Sequence, residues 1–156
     1  MLNKNDPVGK MGEILAMLFA IMAEAIIAHC GEDDGKKIIK HAIYQFGFER
    51  GKAIRDRVLK DNNEINFENL EKYYDIPENE GWDCDTSITE NKLREYTRYC
   101  PFAKKWKEMN MTDIGSMYCE IDEAIMVGYF GKIDFERLNI FNKNIDGHCE
   151  MIVTPK

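Results

Sequence analysis

The sequence lacks the short motifs that most often reveal an enzyme's chemistry. It contains no phosphate-cradling glycine loop, no HExxH pair and no GxSxG elbow. The nucleotide-binding, zincin and serine-hydrolase classes therefore lose their usual support. None of the five cysteines lies in a CxxC pair, so the strong zinc-ribbon signature is absent as well. Chemistry in this chain has to come from other arrangements of cysteine, histidine and carboxylate.

Basic residues are in the minority. The 156 residues include 21 Lys and Arg against 28 Asp and Glu, a net charge of −7 at pH 7. Nucleic acids and anionic membranes bind basic surfaces, so neither is expected as the main partner. The 44% hydrophobic and 31% charged residues are typical of a soluble globular protein. We expect a single domain over residues 1–156, long enough for a full core.

An even set of cysteines, which would indicate a disulfide framework, is missing. There are five cysteines, and no signal-peptide pattern precedes them. This cysteine usage fits a reducing compartment, in which thiols stay free. We therefore expect a cytoplasmic protein.

One long apolar run is present, from Met11 to Cys30. It is apolar enough to suggest a membrane span, but Glu13 and Glu24 interrupt it, and each carboxylate would be costly in hydrocarbon. A helix that is apolar nearly all round belongs in a core or in an oligomer interface. We expect it to be buried by the rest of the domain or by a second copy in a homodimer, and to stay out of the membrane.

The order of the hydrophobic patterns predicts the fold class. Two long helical patterns, at about 12–30 and 33–59, come first. Alternating patterns typical of strands follow at 82–88 and 93–99, and a hairpin closing on Asp-Gly is predicted within 138–153. Helices first and antiparallel strands later predict an α+β fold, with long N-terminal helices packed on a small antiparallel sheet.

The densest group of reactive side chains begins at Cys100, within YCPFAKKWKEM. Pro101 suits the first position of a helix, which makes Cys100 the residue that caps it. The sulfur would then face unpaired N–H groups and the positive end of the helix dipole, with Lys104 and Lys105 one turn on. These surroundings predict a lowered pKa for the Cys100 thiol and a reactive thiolate.

A further helix is predicted from Thr112 to Tyr129, with Thr112 as its cap. In that helix Cys119 and Asp122 stand three residues apart, so their side chains would share one face. A thiol and a carboxylate on one face can share a metal, a proton or a substrate.

The C-terminal strand adds a histidine and a cysteine. His148 and Cys149 are adjacent, and adjacent strand residues point to opposite faces, so the two should not meet. Because this strand has to pack on the helices, we expect Cys149 to line the same cavity as Cys119 and Asp122.

These segments together resemble the L-2-amino-thiazoline-4-carboxylic acid hydrolase family. The resemblance rests on YCPFAKKWKEM at 99–109, CEID at 119–122 and GHCEM at 147–151. The segment FERGKAIRDRV at 48–58 adds to it, so that it covers roughly residues 40–153. It implies a small-molecule substrate, a cyclic isothiourea whose thiazoline ring is opened by water to give a carbamoyl-cysteine.

The resemblance raises five residues as catalytic candidates: Cys119, Asp122, Cys149, Cys100 and His148. In one mechanism a thiolate attacks the amidine-like C2 carbon, and a neighbouring carboxylate or histidine moves protons. In another, the thiolates with Asp122 or His148 hold a divalent metal that activates water. The sequence does not choose between them, although the ligand spacings match no compact metal motif.

A negatively charged substrate needs a cationic partner. Arg50 and Arg55, on the second predicted helix, are candidates to clamp its carboxylate in bidentate fashion, although surface ion pairing is the alternative. Tyr99, at the start of the first motif, is the third expected substrate-binding residue.

A second function class remains open. Cys119 and the segment at 147–151 also resemble vinyl-4-reductase-like small-molecule-binding domains. The acidic-plus-Cys pair expected between those two segments is missing here, which weakens a metal site of that kind. On this alternative the protein binds a ligand without turnover.

Overall fold

The computed structural model describes residues 2–89, 91–141 and 147–156. Within these residues the long helices come first and four strands form one antiparallel sheet, which confirms the predicted α+β fold. The elements are α1 Pro7–Cys30, α2 Glu32–Lys60, α3 Phe67–Lys72, β1 Asp83–Thr89, β2 Lys92–Tyr99, α4 Pro101–Glu108, α5 Thr112–Gly115, a 3₁₀ turn Ser116–Glu120, α6 Ile121–Phe130, β3 Ile133–Asn139 and β4 Cys149–Pro155. The Asp-Gly turn predicted before β4 includes Asp146, which lies outside the described residues.

Helix α1 begins earlier than the apolar pattern suggested. Asp6 caps it, because its Oδ1 accepts hydrogen bonds from the N–H groups of Val8 at 2.9 Å and Gly9 at 3.0 Å. Pro7 follows at the first helical position, which its fixed φ favours. The helix ends before Gly31, whose φ of +83° is a conformation that side chains disfavour.

Helix α1 buries small residues and exposes large apolar ones, which is the opposite of a usual surface helix. The domain buries the small residues of α1 together with one carboxylate, which are Gly9, Gly12, Glu13, Ala16, Ala20 and Ala23. The large apolar side chains point outward, each between 41% and 62% exposed: Met11, Ile14, Leu15, Met17, Leu18, Ile21 and Met22. Judged by length and composition alone, α1 is long and apolar enough to cross a membrane. Only 28% of its most apolar 18-residue stretch is buried. We expected α1 to be buried by the rest of the domain or by a second copy. The rest of the domain buries only its inner face.

Helices α2 and α6 approach each other closely through glycines. A Cβ placed on Gly51 would lie 2.0 Å from the carbonyl oxygen of Ile125, and one on Gly128 would lie 2.2 Å from that of Phe48. Backbone atoms cannot move aside cheaply, so this contact requires glycine at both positions. It brings α6 onto α2, and the core formed there includes Ile54 of α2 and Tyr129 of α6, both fully buried.

The sheet has the strand order β1-β2-β4-β3, with each neighbouring pair antiparallel. Alternate residues of β2 and β4 are buried, which defines an inner face towards the helices. Leu93 of β2 and Val153 of β4 are partners in register on that face, and both are buried. Polar side chains that lie an even number of residues from Leu93 in β2 or from Val153 in β4 therefore also point towards the helices.

The segment predicted as one helix from Thr112 to Tyr129 is helical from Thr112 to Phe130, but it is not α-helical throughout. It consists of α5, the 3₁₀ turn and α6 in direct succession, and Met111 rather than Thr112 is the N-cap of α5. Gly115 packs against the indole of Trp106, where an added Cβ would be 2.2 Å from Cγ, and the chain tightens into the 3₁₀ turn directly after it. Cys119 therefore lies in that 3₁₀ turn.

The glycine contact between α2 and α6 makes a prediction about stability. Alanine normally stabilises a helix interior over glycine by about 0.5–1 kcal/mol. Gly51→Ala should instead lower the free energy of unfolding by more than about 2 kcal/mol, because its methyl group would collide with the Ile125 carbonyl. Urea denaturation measures this, with Ala53→Gly at an exposed site of α2 as a reference for propensity alone. A stabilised Gly51→Ala variant would contradict the described packing.

Candidate active site

A cavity of about 560 Å³ opens between the inner face of the sheet and the helices. Cys100, Cys119, Asp122 and Cys149 all line it, although they come from the β2–α4 junction, the 3₁₀ turn, α6 and β4. Much of the remaining wall is apolar or aromatic: Phe67, Leu70, Tyr74, Ile76, Trp82, Phe102, Trp106, Tyr118, Ile121, Ile125 and Met151. An apolar pocket with a few convergent polar groups is typical of a small-molecule site.

Strand pairing places Cys149 in a row of polar side chains across the sheet. Cys149 of β4 is the register partner of Thr97 of β2, and Thr97 is the partner of Cys84 of β1. The Sγ of Cys84 lies 3.3 Å from Oγ1 of Thr97, and all three residues line the cavity. The sheet thus fixes the position of Cys149 relative to β2.

The next row of the same face brings a carboxylate and a guanidinium to the cavity. Glu95 of β2 is the partner of Met151 of β4, and Met151 is the partner of Arg137 of β3. All three side chains line the cavity. The sequence reasoning missed Glu95 and Arg137, although Leu93 two residues before Glu95 and Phe135 two residues before Arg137 indicate the same inward face.

The Cys100 thiol does not have the lowered pKa that its capping position predicted. Burial raises its pKa to about 12, and this outweighs the N–H groups of Phe102 and Ala103, which lower it. The ammonium of Lys104 is paired elsewhere, 3.2 Å from Glu13 and 2.8 Å from Glu108. The predicted lowering of the Cys100 pKa is therefore wrong.

The other two candidate thiols are also held in the neutral form. Burial raises the pKa of Cys119 far above its usual range, and the Asp122 carboxylate adds to the shift. Burial likewise raises the pKa of Cys149. The Cys149 sulfur accepts a hydrogen bond from the N–H of Phe141 at 3.3 Å, which lowers that pKa and would stabilise a thiolate once formed.

Asp122 is joined to the sheet by an ion pair. Nη2 of Arg137 lies 2.9 Å from Oδ2 of Asp122 and also donates to the carbonyl oxygen of Cys119 at 2.7 Å. Burial raises the pKa of Asp122, and the Arg137 guanidinium opposes that shift. Asp122 and Cys119, three residues apart in this helical segment, both line the cavity, and Arg137 bonds the carboxylate of the one and the carbonyl of the other.

Glu95 has the ionisation expected of an acid–base group. Burial and the negative charge of Asp122 together raise its pKa to about 7, although the Thr97 hydroxyl and Arg137 act in the opposite direction. Oγ1 of Thr97 donates a hydrogen bond to Oε1 of Glu95 at 3.2 Å. A carboxyl with a pKa near neutrality can accept a proton and return it during one reaction cycle.

Arg50 lines the cavity, but its bidentate edge is occupied. Nε and Nη2 donate to the two oxygens of Asp75 at 2.8 and 2.6 Å. The rings of Phe46 and Tyr74 lie 5.7 and 5.8 Å from the guanidinium carbon. The fork of Arg50 is thus used within the protein, and its role in holding a substrate stays a prediction.

Three predicted site residues lie outside the described cavity wall. Arg55 donates from Nη1 to the carbonyl oxygen of Tyr129 at 2.7 Å. The Tyr99 ring lies under the Lys4 ammonium, 5.5 Å from Nζ. The His148 ring stacks on Tyr96 at 4.5 Å between centroids, with Nε2 2.9 Å from Nδ2 of Asn139. As expected, the side chains of His148 and Cys149 do not meet, since Cys149 lines the cavity and His148 does not.

The structure offers no ready-made metal centre in the residues it describes. Across 2–89, 91–141 and 147–156, no three His, Cys, Asp or Glu side chains are grouped so as to hold a metal ion. The divalent metal considered for the second mechanism stays a prediction.

A comparison with known protein families supports the resemblance that the motifs indicate. A family model described as L-2-amino-thiazoline-4-carboxylic acid hydrolase matches residues 11–152. The chain belongs to this family. The match extends upstream of the motif-based region and takes in α1 as well, so the apolar helix is part of what the family shares. No protein of curated function and no solved structure is similar enough to match.

The buried carboxyl makes a prediction that needs no substrate. A folded-state pKa of about 7 exceeds the ordinary value of about 4.3, so the folded state holds this proton more tightly than the unfolded state, and stability is lost as the pH rises from 5 towards 7. Glu95→Gln removes that loss. We expect it to change the free energy of unfolding little at pH 5 and to raise it by about 2 kcal/mol at pH 8.

Urea denaturation at the two pH values measures the difference. Glu136→Gln is the matched control, because Glu136 is exposed on the other face of β3, and it should show no such dependence on pH. An equal effect of Glu95→Gln at both pH values would contradict the raised pKa.

Proposed function

We propose that this protein is a hydrolase that opens a small cyclic C=N substrate of thiazoline type to a carbamoyl-cysteine-like product. The observation that carries the proposal is the single cavity onto which Cys100, Cys119, Asp122 and Cys149 converge. Membership of the L-2-amino-thiazoline-4-carboxylic acid hydrolase family supports it. The five free thiols also support a reducing, cytoplasmic setting.

In the first step, the sulfur of a cavity cysteine bonds to C2 of the ring. Because burial keeps the thiols neutral, a base has to take the thiol proton as the bond forms. We assign this role to Glu95, whose pKa of about 7 suits proton transfer at neutral pH. The C2–S bond of the ring then breaks, and the proton passes from Glu95 to the departing ring sulfur.

In the second step, water adds to C2 and the bond between C2 and the enzyme sulfur breaks. One proton of the water ends on the imino nitrogen, and the other returns through Glu95 to the enzyme sulfur. The product carries a carbamoyl group on nitrogen and a free thiol, and the enzyme thiol is regenerated. The balance requires water alone as co-reactant.

Cys149 is the first candidate for the nucleophile. On β2, Glu95 and Thr97 point to the same face, and Cys149 is the register partner of Thr97, so Cys149 and Glu95 are diagonal neighbours across the two strands. The N–H of Phe141 donates to the Cys149 sulfur and would stabilise the thiolate as it forms.

Arg137 is the cation that we assign to the substrate carboxylate. Its guanidinium lines the cavity, and the Nη2 atom already bonds Asp122 and the Cys119 carbonyl, which fixes its place. Arg50 is the second candidate, but it is engaged in bidentate fashion by Asp75.

A ligand-binding module without turnover is the alternative. The observation in its favour is that burial raises the pKa values of all three candidate thiols, so none is a nucleophile until a base acts. Tight binding of the aminothiazoline carboxylate with no product formed would support this alternative and overturn the hydrolase proposal.

The nucleophile is tested by serine substitutions assayed for ring opening. We expect Cys149→Ser to lower kcat by at least about a thousandfold, since a neutral hydroxyl replaces the attacking sulfur. Cys30→Ser, at the exposed end of α1, is the control and should keep the wild-type rate. Cys100→Ser and Cys119→Ser should have smaller effects. Should all three folded cavity variants turn over at the wild-type rate, the thiol mechanism is wrong.

The base is tested by the pH dependence of kcat/KM. Since Glu95 has to be ionised to accept the proton, kcat/KM should rise with pH and level off above about 7. Glu95→Gln should lower kcat/KM by about 10²- to 10⁴-fold and remove this limb, whereas Glu136→Gln should keep it. A limb that persists unchanged in Glu95→Gln would assign the titration to another group.

A further inference from the structure

We propose that the outer face of α1 is a homodimer interface, on which a second copy of this chain lays its own α1 antiparallel to the first. The two-fold axis would pass close to Met17 and Leu18, at the middle of the exposed apolar stripe. The proposal does not depend on the hydrolase reaction.

The spacing of the outer face is that of a helix–helix seam. Its positions form two parallel rows with alternating steps of four and three, which is the 3.5-residue repeat of packed helices. One row contains Lys10, Ile14, Met17, Ile21, Glu24 and Ala28. The other contains Met11, Leu15, Leu18, Met22, Ala25 and His29. Every member of both rows is exposed in the single chain.

The inner face of α1 cannot be exchanged for the outer one. Ala16 and Ala20 are fully buried, and the indole N–H of Trp106 donates to the Ala16 carbonyl at 2.9 Å. An added Cβ on Gly12 would lie 2.9 Å from the Trp82 ring. Because small residues lock this side against the domain, α1 stays in place and its large side chains stay outside.

The exposed area matches what a dimer needs. Seven large apolar side chains on this face are each about half exposed. At roughly 90 Å² apiece they supply on the order of 650 Å², close to the ~800 Å² per partner of a standard interface. An apolar patch of this size is rare on monomeric proteins.

The charges at the two ends favour an antiparallel second copy over a lipid surface. Lys10 lies at one end of the stripe and Glu24 at the other, so the proposed axis sets each Lys10 against Glu24 of the other copy. The chain carries a net charge of −7, which disfavours an anionic bilayer. Amphipathic helices that lie on membranes usually have a basic polar face, whereas the opposite face of α1 is packed into the protein.

Sedimentation equilibrium of the full chain from low to high micromolar concentration tests the proposal. The wild type should be a dimer. Leu18→Glu places a charge at the centre of the seam in both copies and should raise the dissociation constant by about a hundredfold or more. Leu138→Glu is the matched control, because Leu138 is 49% exposed but lies on β3, and it should leave the dimer intact. Far-UV circular dichroism verifies that each variant is folded.

A charge exchange tests the orientation of the two helices. Lys10→Glu should weaken the dimer by about tenfold, and the double variant Lys10→Glu/Glu24→Lys should restore it. Flotation with phosphatidylcholine vesicles, with and without phosphatidylglycerol, tests a lipid occupant. A monomeric wild type, a dimer indifferent to Leu18→Glu, a double variant weaker than the single one, or a protein that floats with either vesicle would each overturn the proposal.

Discussion

The ion pair between Arg137 and Asp122 is the interaction on which the candidate site depends. It joins β3 to α6 across the cavity, and the same Nη2 atom also bonds the Cys119 carbonyl in the 3₁₀ turn. The Asp122 side chain is 38% exposed and that of Arg137 18%, so solvent screens the pair, and loss of one partner should cost less than the roughly 3–5 kcal/mol typical of a fully buried pair. One side chain of the sheet thus bonds both a carboxylate and a backbone carbonyl of the helical layer.

The Arg137–Asp122 ion pair also gives the two carboxyl groups of the cavity, Asp122 and Glu95, different surroundings. Arg137 opposes the burial that raises the pKa of Asp122, whereas Glu95 receives less of that help and titrates near pH 7. Two acids in one cavity with different environments are a common basis of acid–base chemistry. Around them, an apolar wall strengthens each electrostatic interaction, and it also keeps the thiols neutral until a base acts.

The helical layer places this site through close contacts rather than through large side chains. Gly51 and Gly128 let α2 and α6 touch backbone to backbone, and Ala16 and Ala20 seat α1 against the Trp106 ring. Since the small residues face inward, seven large apolar residues of α1 remain on the surface, while Phe19, Ile26 and Ile27 pack against the core. The candidate-site cavity and the proposed dimer face are therefore formed by different residues of the helical layer.

The sequence predicts much of the fold because local patterns determine it. Periodicity locates the two long helices, and Asn66 caps α3 as its residue type suggests, with Oδ1 accepting from the N–H of Asn69 at 2.9 Å. The neutral thiol of Cys100 could not be predicted, because its burial depends on residues that arrive from distant segments. The change from α-helical to 3₁₀ geometry after Gly115 likewise depends on a distant contact, the packing of Gly115 against the Trp106 indole.

The candidate site was predicted in part, and the missing part has a physical cause. Motif positions selected Cys119, Asp122 and Cys149, which the structure brings to one cavity. Glu95 and Arg137 stand in strands whose alternation is imperfect, and charged residues in a strand are expected on the solvent side. The positions of Leu93 and Phe135, two residues earlier in each strand, indicate the inner face, and the register of β2, β4 and β3 shows that both side chains lie on it.

In the proposed mechanism this cavity holds a thiazoline carboxylate with its reactive carbon at a cysteine. A crystal structure of the Cys149→Ser variant with L-2-amino-thiazoline-4-carboxylate would show whether it does. We expect the ring inside the cavity, its carboxylate at Arg137 and its C2 carbon within contact distance of the side chain at position 149 and close to Glu95. A ring bound elsewhere, or bound in the cavity with C2 far from every lining thiol, would contradict it.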